Sequence, residues 1–205
     1  MVGILDLRIG NLRSVANAVE ENGFEAILIE EEKGFQGVTH LILPGVGHFG
    51  AAMEEITRRK WKPLLLEYVS TGRPLLGTCL GMQLLMETSE EGGQHQGLGL
   101  IPGGVRRLVP SGGLRIPHIG WNSVHFQQAH PVLEGIPNDR DFYFAHSFGV
   151  EMENKSMVIG TTEYGGAIAA VIGKKNIIGC QFHPEKSQVH GLRVMENFCR
   201  WNGRC

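Results

Sequence analysis

The chain is short of several things, and each shortage removes a class of function. Lysine and arginine number 19 against 21 acidic residues, a net charge of −2. No basic excess therefore marks it for nucleic acid or an anionic membrane surface. No apolar run reaches the ~18 residues that would suggest a transmembrane helix. The start, Met1-Val-Gly-Ile-Leu-Asp6, has no basic segment and meets a charge early, so it reads as neither signal peptide nor membrane span. Its 4 cysteines, Cys79, Cys180, Cys199 and Cys205, contain no CxxC pair. With nothing marking secretion, they read as reduced thiols in the cytosol. The 9 histidines include no HxH, HxxxH or Cys/His pair at ligand spacing. No metal site is expected. Repeats and long linkers are also missing, so residues 1–205 read as one domain.

What the chain has in excess is glycine, 29 of 205 residues, about twice the usual share. No Gly-X-Y period runs through them, and with 9 prolines the composition stays short of low complexity. The glycines are expected at turns and close backbone approaches inside a folded domain. A chain of this length builds a sizeable core without disulfide or metal staples.

Short apolar runs alternate with helical patterns in the first half. Strands are predicted at Val2–Asp6, Ala26–Ile29, Thr39–Leu43 and Pro74–Thr78. Helices are predicted at Leu12–Glu21, Phe49–Arg58, Pro63–Ser70 and Leu80–Thr88, the first capped by Asn11. Such alternation argues for an α/β fold with helices on the faces of a parallel sheet. Beyond Leu98 the pattern changes to short strands and turns. Phe142–Phe148, Met157–Thr162, Ala167–Ile172 and Ile177–Phe182 are the best strand candidates there, and a helix over Gln188–Trp201 closes the chain.

The chemistry concentrates in Leu75-Leu-Gly-Thr-Cys79-Leu-Gly-Met-Gln83. Gly77 and Gly81 flank Cys79 where a predicted strand runs into a helix, the layout of a nucleophile elbow. A lone cysteine is more often a buried apolar residue; the flanking glycines at a strand–helix junction favour the nucleophile. The amide of Leu80 would then face a developing oxyanion. A nucleophilic cysteine needs a base, and the base an orienting group. Gln181-Phe-His183-Pro-Glu185 supplies both, because residues two apart on extended backbone share a face. Pro184 pushes His183 toward extended geometry, and Glu185 would hold the imidazole tautomer.

Together, Gly77-Thr-Cys79-Leu-Gly-Met-Gln-Leu-Leu85 and Gln181-Phe-His-Pro-Glu-Lys-Ser187 resemble the class I (triad) glutamine amidotransferases. Most members read Gly-His-Gln after the cysteine; this chain reads Gly81-Met82-Gln83. That variant, with Pro117-His-Ile-Gly-Trp-Asn122 and Tyr143-Phe-Ala-His-Ser147, is similar to the glutaminase subunits of imidazole glycerol phosphate synthases. The likeness runs from Asn11 to Phe198. It implies a single-domain class I glutamine amidotransferase fold, with a mixed, mostly parallel central sheet flanked by helices. It also implies hydrolysis of L-glutamine to glutamate and ammonia through a cysteine thioester, without a cofactor. Ammonia would pass through a channel to a cyclase partner, a (βα)₈ barrel, in a cytoplasmic heterodimer serving histidine biosynthesis. Two alternatives stand beside this. One is a glutaminase feeding a different synthase, such as a sugar amidotransferase; the other is a catalytically silent regulatory module of the same fold. The intact Cys79–His183–Glu185 set speaks against the latter.

Leu43-Pro-Gly45-Val-Gly47-His-Phe-Gly50 contains a literal G-x-G-x-x-G, but it follows the third predicted strand and lacks a strand-ending acid further on. The resemblance makes Gly45-Val46-Gly47 an oxyanion strand instead. Glycines there would let a peptide plane turn a carbonyl away and bring the Val46 N–H inward. Gln83, one helical turn after Cys79, and Glu91 resemble glutamine-binding positions, with Glu91 facing the substrate's α-ammonium. His146 and Ser147 would place backbone groups near its amino-acid end. By the same resemblance His118, Trp121 and Lys186 belong to the partner interface. The chain departs from the family at Asp6-Leu7-Arg8-Ile-Gly10-Asn11, where Asp-Tyr-Gly-x-Gly-Asn is usual, and at Phe148, where tyrosine often stands.

Overall fold

The computed structural model describes residues 1–204; Cys205 lies outside them. The first half winds through β1 (Val2–Leu5), α1 (Leu12–Glu21), β2 (Ala26–Ile29), β3 (His40–Leu43), α2 (Phe49–Arg58), α3 (Trp61–Ser70), β4 (Leu75–Thr78) and α4 (Leu80–Leu84). The second adds β5 (Thr88–Ser89), β6 (His95–Gln96), β7 (Gly104–Arg107), β8 (His118–Phe126), β9 (Arg140–His146) and β10 (Phe148–Glu151). It finishes with β11 (Val158–Glu163), β12 (Ala167–Lys174), β13 (Ile177–Cys180) and α5 (Gln188–Arg200).

A 9-stranded sheet in the order β2-β1-β3-β4-β13-β12-β11-β8-β9 carries the molecule, and a 4-stranded sheet, β10-β7-β5-β6, lies beside it. The large sheet is mixed. From β2 to β13 the strands pair in parallel, and from β13 to β9 antiparallel. The parallel part therefore covers half of the sheet; of the antiparallel pairs, β8–β9, β11–β12 and β12–β13 join strands consecutive in the large sheet without a crossover helix.

Alternation on the strands divides the core in two. Leu41, Leu43 and Leu75 face one layer with Phe49, Ile56, Trp61 and Leu65 of α2 and α3. Ile42 and Leu76 face the other, with Val15 and Val19 of α1 and Val194, Met195 and Phe198 of α5. Asn11 caps α1 as expected, its side chain accepting from Ser14 N at 3.3 Å. Cys79, Cys180 and Cys199 are all free thiols. Among the described residues no helix is long and apolar enough to cross a membrane.

Two predicted elements change. The helix expected over Leu80–Thr88 stops at Leu84, because the 98–101 segment takes its next carbonyls. Leu98 N binds Leu84 O, Leu100 N and Ile101 N bind Leu85 O, and Gly99 N binds Met86 O. Thr88 is thereby freed to pair with Gln96 and Gly104. The second change is β8, a nine-residue strand absent from the predicted set. Its alternation is inverted, with Ile119 and Trp121 exposed while His118 and Val124 are buried.

Candidate active site

The carboxyl ends of β3, β4 and β13 lie side by side in the sheet, next to the point where strand order reverses between β1 and β3. Open α/β sheets place their ligands at such ends. Cys79 follows β4 directly, at φ 52° and ψ −111°. A non-glycine residue holds that backbone only where its surroundings impose it. Here its N–H donates to Cys180 O at 2.8 Å, and α4 starts at the next residue. The flanking glycines make this possible. A Cβ on Gly81 would lie 1.7 Å from Leu43 O, and one on Gly77 would lie 2.7 Å from Gly81 O. Strand and helix therefore pack backbone against backbone, and Cys79 is turned outward from the sheet end at 5% exposure.

His183 and Glu185 follow β13. The imidazole Nδ1 lies 2.9 Å from Glu185 Oε1, with both side chains nearly inaccessible to solvent. The ring is held from behind by backbone: His183 N–H donates to Tyr143 O at 2.9 Å. Ser187 locks the same turn, donating to His183 O at 2.6 Å and accepting from Tyr143 N at 3.0 Å. The other ring nitrogen, Nε2, is buried without a hydrogen-bond partner. Burial pulls the imidazolium down, but the neighbouring Cys79 and Glu185 outweigh it and push His183 up to about 9. Since Nε2 has no formed hydrogen bond, Cys79 acts on the ring as an adjacent ionisable group. The base is thus proton-loaded near neutral pH and oriented by a carboxylate, as nucleophilic thiol chemistry requires.

A family description, Glutamine amidotransferase class-I, matches residues 4–201. The chain belongs to this family. The imidazole glycerol phosphate synthase subunit HisH of Desulfitobacterium hafniense (strain DSM 10664 / DCB-2) is 45% identical over 98% of this chain and 94% of its own length. Subunit HisH 2 of Nitrobacter winogradskyi is 47% identical over 98% of both chains. A solved structure described as a glutamine amidotransferase superposes with a TM-score of 0.76 at 20% identity, covering 97% of each chain, and shares the fold.

Within this amidotransferase the other expected residues fall into three groups. Gln83 is buried beside the nucleophile, its Nε2 donating to Phe148 O at 2.9 Å and Gln181 Oε1 at 3.2 Å. Glu91 caps α2, accepting from Phe49 N at 2.8 Å, which ties the loop after β5 to the segment after β3. His146 is buried and Ser147 half-buried, the latter using its carbonyl to accept from Leu108 N at 2.9 Å. The G-x-G-x-x-G stretch forms the turn between β3 and α2.

The oxyanion donors need a correction. Leu80 N–H does not face an open position; it donates to Gly45 O at 3.3 Å. The Gly45 carbonyl is turned toward the elbow and occupies the Leu80 donor in this arrangement. Gly45, Val46, Thr78, His183 and Glu185 enclose a crevice of about 10 Å³, room for about one water.

His118 is the second correction. It is 2% exposed, so it presents no surface to a partner. Its ring is stacked between Phe144, at 4.8 Å, and Tyr164, at 4.0 Å. Trp121 at 48% exposure, its neighbour Ile119 at 62%, and Lys186 do face outward. Lys186 Nζ sits 5.8 Å from the Tyr143 ring centroid, and Tyr143 packs edge-on against Trp121.

Sequence reasoning missed Gln181 as a site residue. It is fully buried and its Nε2 approaches Cys79 Sγ at 3.9 Å, while the sulfur reaches Ala145 O at 3.9 Å. The available signal was a glutamine closing an otherwise apolar strand, a polar group that must find a partner. Ser187 was missed because its role is to bond backbone, which no motif spacing reveals.

Proposed function

We propose that this chain is the glutaminase subunit of an imidazole glycerol phosphate synthase, hydrolysing L-glutamine and passing ammonia to a cyclase partner in histidine biosynthesis. The observation that carries the proposal is the strained Cys79 elbow beside a His183 imidazole bonded to Glu185. The names of the relatives support the choice of synthase. In the reaction, Cys79 Sγ attacks the substrate's carboxamide carbon and the oxygen takes up negative charge. The His183 imidazolium gives its proton to the departing nitrogen, ammonia leaves, and a thioester remains. Water, deprotonated by the now neutral His183, cleaves the thioester to glutamate, releasing the Cys79 sulfur and restoring the His183 imidazolium.

The oxyanion requires donors that the resting arrangement withholds. Rotation of the peptide after Gly45 would release Leu80 N–H from its carbonyl and turn the Val46 N–H inward. One movement would thus supply both donors, worth about 3 kcal/mol of barrier each by analogy with other oxyanion holes. Coupling that rotation to a loaded partner would keep glutamine from being wasted. The partner, a (βα)₈ barrel in a heterodimer, would dock on the face carrying Ile119, Trp121, Tyr143 and Lys186, where exposed aromatic and apolar side chains meet a cation. A closed channel is needed because ammonia released into bulk water is protonated and lost as a nucleophile.

The test measures glutamate release with and without the cyclase barrel and its nucleotide ligand. Stimulation by that partner and loss of hydrolysis in Cys79→Ala, with ammonia-dependent turnover of the complex retained, are expected. Unchanged hydrolysis in Cys79→Ala would overturn the mechanism, and stimulation only by another synthase would overturn the partner.

A further inference from the structure

A line of hydrogen bonds joins the outward-facing strand β8 to the nucleophile, and its direction is determined at every step. It starts at Asn122, next to the exposed Trp121. Asn122 Nδ2 donates to Glu163 O at 2.9 Å and faces His118 Nε2 at 3.3 Å. His118 Nδ1 lies 2.9 Å from His146 Nε2, and His146 Nδ1 lies 2.8 Å from Phe148 O. The same Phe148 carbonyl accepts from Gln83 Nε2, which also donates to Gln181 Oε1. Gln181 Nε2 then points at Cys79 Sγ.

A carbonyl only accepts, so His146 must carry its proton on Nδ1. Burial pushes both His118 and His146 down to about 4, so each ring is neutral at pH 7. His146 Nε2 is therefore an acceptor, His118 must donate from Nδ1, and His118 Nε2 accepts from Asn122. The tautomer of one ring dictates that of the next. The two glutamines follow the position of the Phe148 carbonyl, since that oxygen accepts from Gln83 in either case. With the Phe148 carbonyl in place, Gln83 presents its NH₂ group, and this makes Gln181 offer Oε1 to Gln83 and Nε2 to the sulfur. A reversed Gln181 amide would aim an acceptor oxygen at the nucleophile and repel a thiolate. The side chains between Asn122 and Cys79 are buried, His118 at 2%, His146 at 6%, Gln83 at 4% and Gln181 at 0%, while Phe148, which lends only its carbonyl, is half-buried. The His118–His146, Gln83–Gln181 and Gln181–Cys79 links are buried, so a bond broken at any of these three is costly.

We propose that His118 is a positioning residue for the glutaminase reaction: it holds His146 Nε2, and so keeps His146 Nδ1–H on the Phe148 carbonyl and that carbonyl where Gln83 Nε2 donates to it, the place from which the Gln181 donor that faces Cys79 is set. The inference rests on the glutaminase reading above and extends it to a side chain that touches neither substrate nor nucleophile. Phe144 and Tyr164 clamp the ring, and the Tyr164 hydroxyl is anchored to Arg115 O at 2.7 Å. The clamp keeps the imidazole in the one plane that serves both nitrogens. Its place on β8 also puts His118 beside Ile119 and Asn122 beside Trp121, so a partner pressing on that face acts on the same strand.

Two variants and one spectrum test this. His118→Phe keeps the stack between Phe144 and Tyr164 but removes the Nδ1 donor. His118→Asn keeps a donor close to the Nδ1 position. With the cyclase complex, His118→Phe is expected to lower kcat for glutamine about tenfold, more than it changes KM. It should slow iodoacetamide labelling of the Cys79 peptide by a similar factor. His118→Asn should bring both within about threefold of wild type. In the wild-type chain, ¹⁵N histidine spectra at pH 7 should show His118 and His146 as neutral Nδ1–H tautomers, a result that stands even if a variant fails to fold. An Nε2–H tautomer at either ring, or wild-type kcat and labelling in a folded His118→Phe, would overturn the proposal. A wild-type complex without glutaminase activity would instead overturn the functional reading, leaving labelling and tautomers to be judged alone.

Discussion

Cys79 and His183 bear opposite kinds of cost. Cys79 carries backbone strain, at φ 52° and ψ −111°, a region natural only to glycine and costing of order 1–3 kcal/mol for other residues. Comparing two inactive variants probes that cost: Cys79→Gly should be more stable than Cys79→Ala by at least about 1 kcal/mol, since glycine is favoured both by this backbone and at the N-cap of α4. Urea unfolding measures it, and an Ala variant as stable as the Gly variant would remove the strain argument. His183 carries a charge in a dry place. Its folded pKa of about 9 lies above the unfolded value of about 6.5. Its charged form therefore adds stability that is complete below pH 6.5 and lost as pH rises through about 9. In the proposed mechanism the same proton is the one delivered to leaving ammonia. Glutamine hydrolysis should accordingly decline as pH rises through about 9, and a rate still rising above pH 10 would exclude His183 as the acid. Both residues were legible in the sequence, since glycine spacing and a His-Pro-Glu turn are local patterns. Gln181 was not, because its role depends on which amide face Gln83 offers it.

At the scale of elements, the loop after β5 and the start of α2 share one carboxylate. Glu91 accepts from Phe49 N, an orphan donor of the helix N-terminus. Glu91→Gln keeps an oxygen for that bond and removes the charge proposed to face the substrate's ammonium. It should raise KM for glutamine about tenfold while leaving Tm nearly unchanged; Glu91→Ala should also cost about 1 kcal/mol. Equal Tm and equal KM in all three forms would show that Glu91 does neither job. The helix prediction over Leu80–Thr88 overran for a related reason: the carbonyls of Leu84, Leu85 and Met86 bond a segment more than ten residues away. Strand β8 escaped prediction because Ile119 and Trp121 face outward while His118 shares the inner face with Val124. A pattern rule that assumes apolar-in reads such a strand as irregular.

Over the whole molecule, three histidines are folded in their neutral form. Burial pushes His118, His130 and His146 down to about 4. His130 has a further reason to stay neutral, since its Nδ1 accepts from Val132 N at 3.2 Å. A lowered pKa means that the unfolded chain binds these protons first, so stability falls as pH drops from about 6.5 toward 4. Each pKa unit is worth about 1.4 kcal/mol, and three such groups should lower Tm visibly between pH 7 and pH 5. Calorimetry across that range checks this, and a flat Tm would mean that the rings titrate freely. His183 offsets only a small part of the loss, because its own contribution is nearly complete by about pH 6.5.

By itself the sequence determined the α/β character of the first half, the family, the triad and the glycine-built elbow. These rest on near-neighbour rules: periodicity, turn chemistry and residues that must sit two or four apart. Only the tertiary structure decided the antiparallel half of the sheet, the pairing of Leu80 N–H with the Gly45 carbonyl and the burial of His118. Each of these depends on which distant backbone or ring satisfies a polar group. Leu80 N–H finds Gly45 O, and His118 finds His146 across the β8–β9 ladder. Such partners are chosen by strand register and packing, which no local spacing encodes.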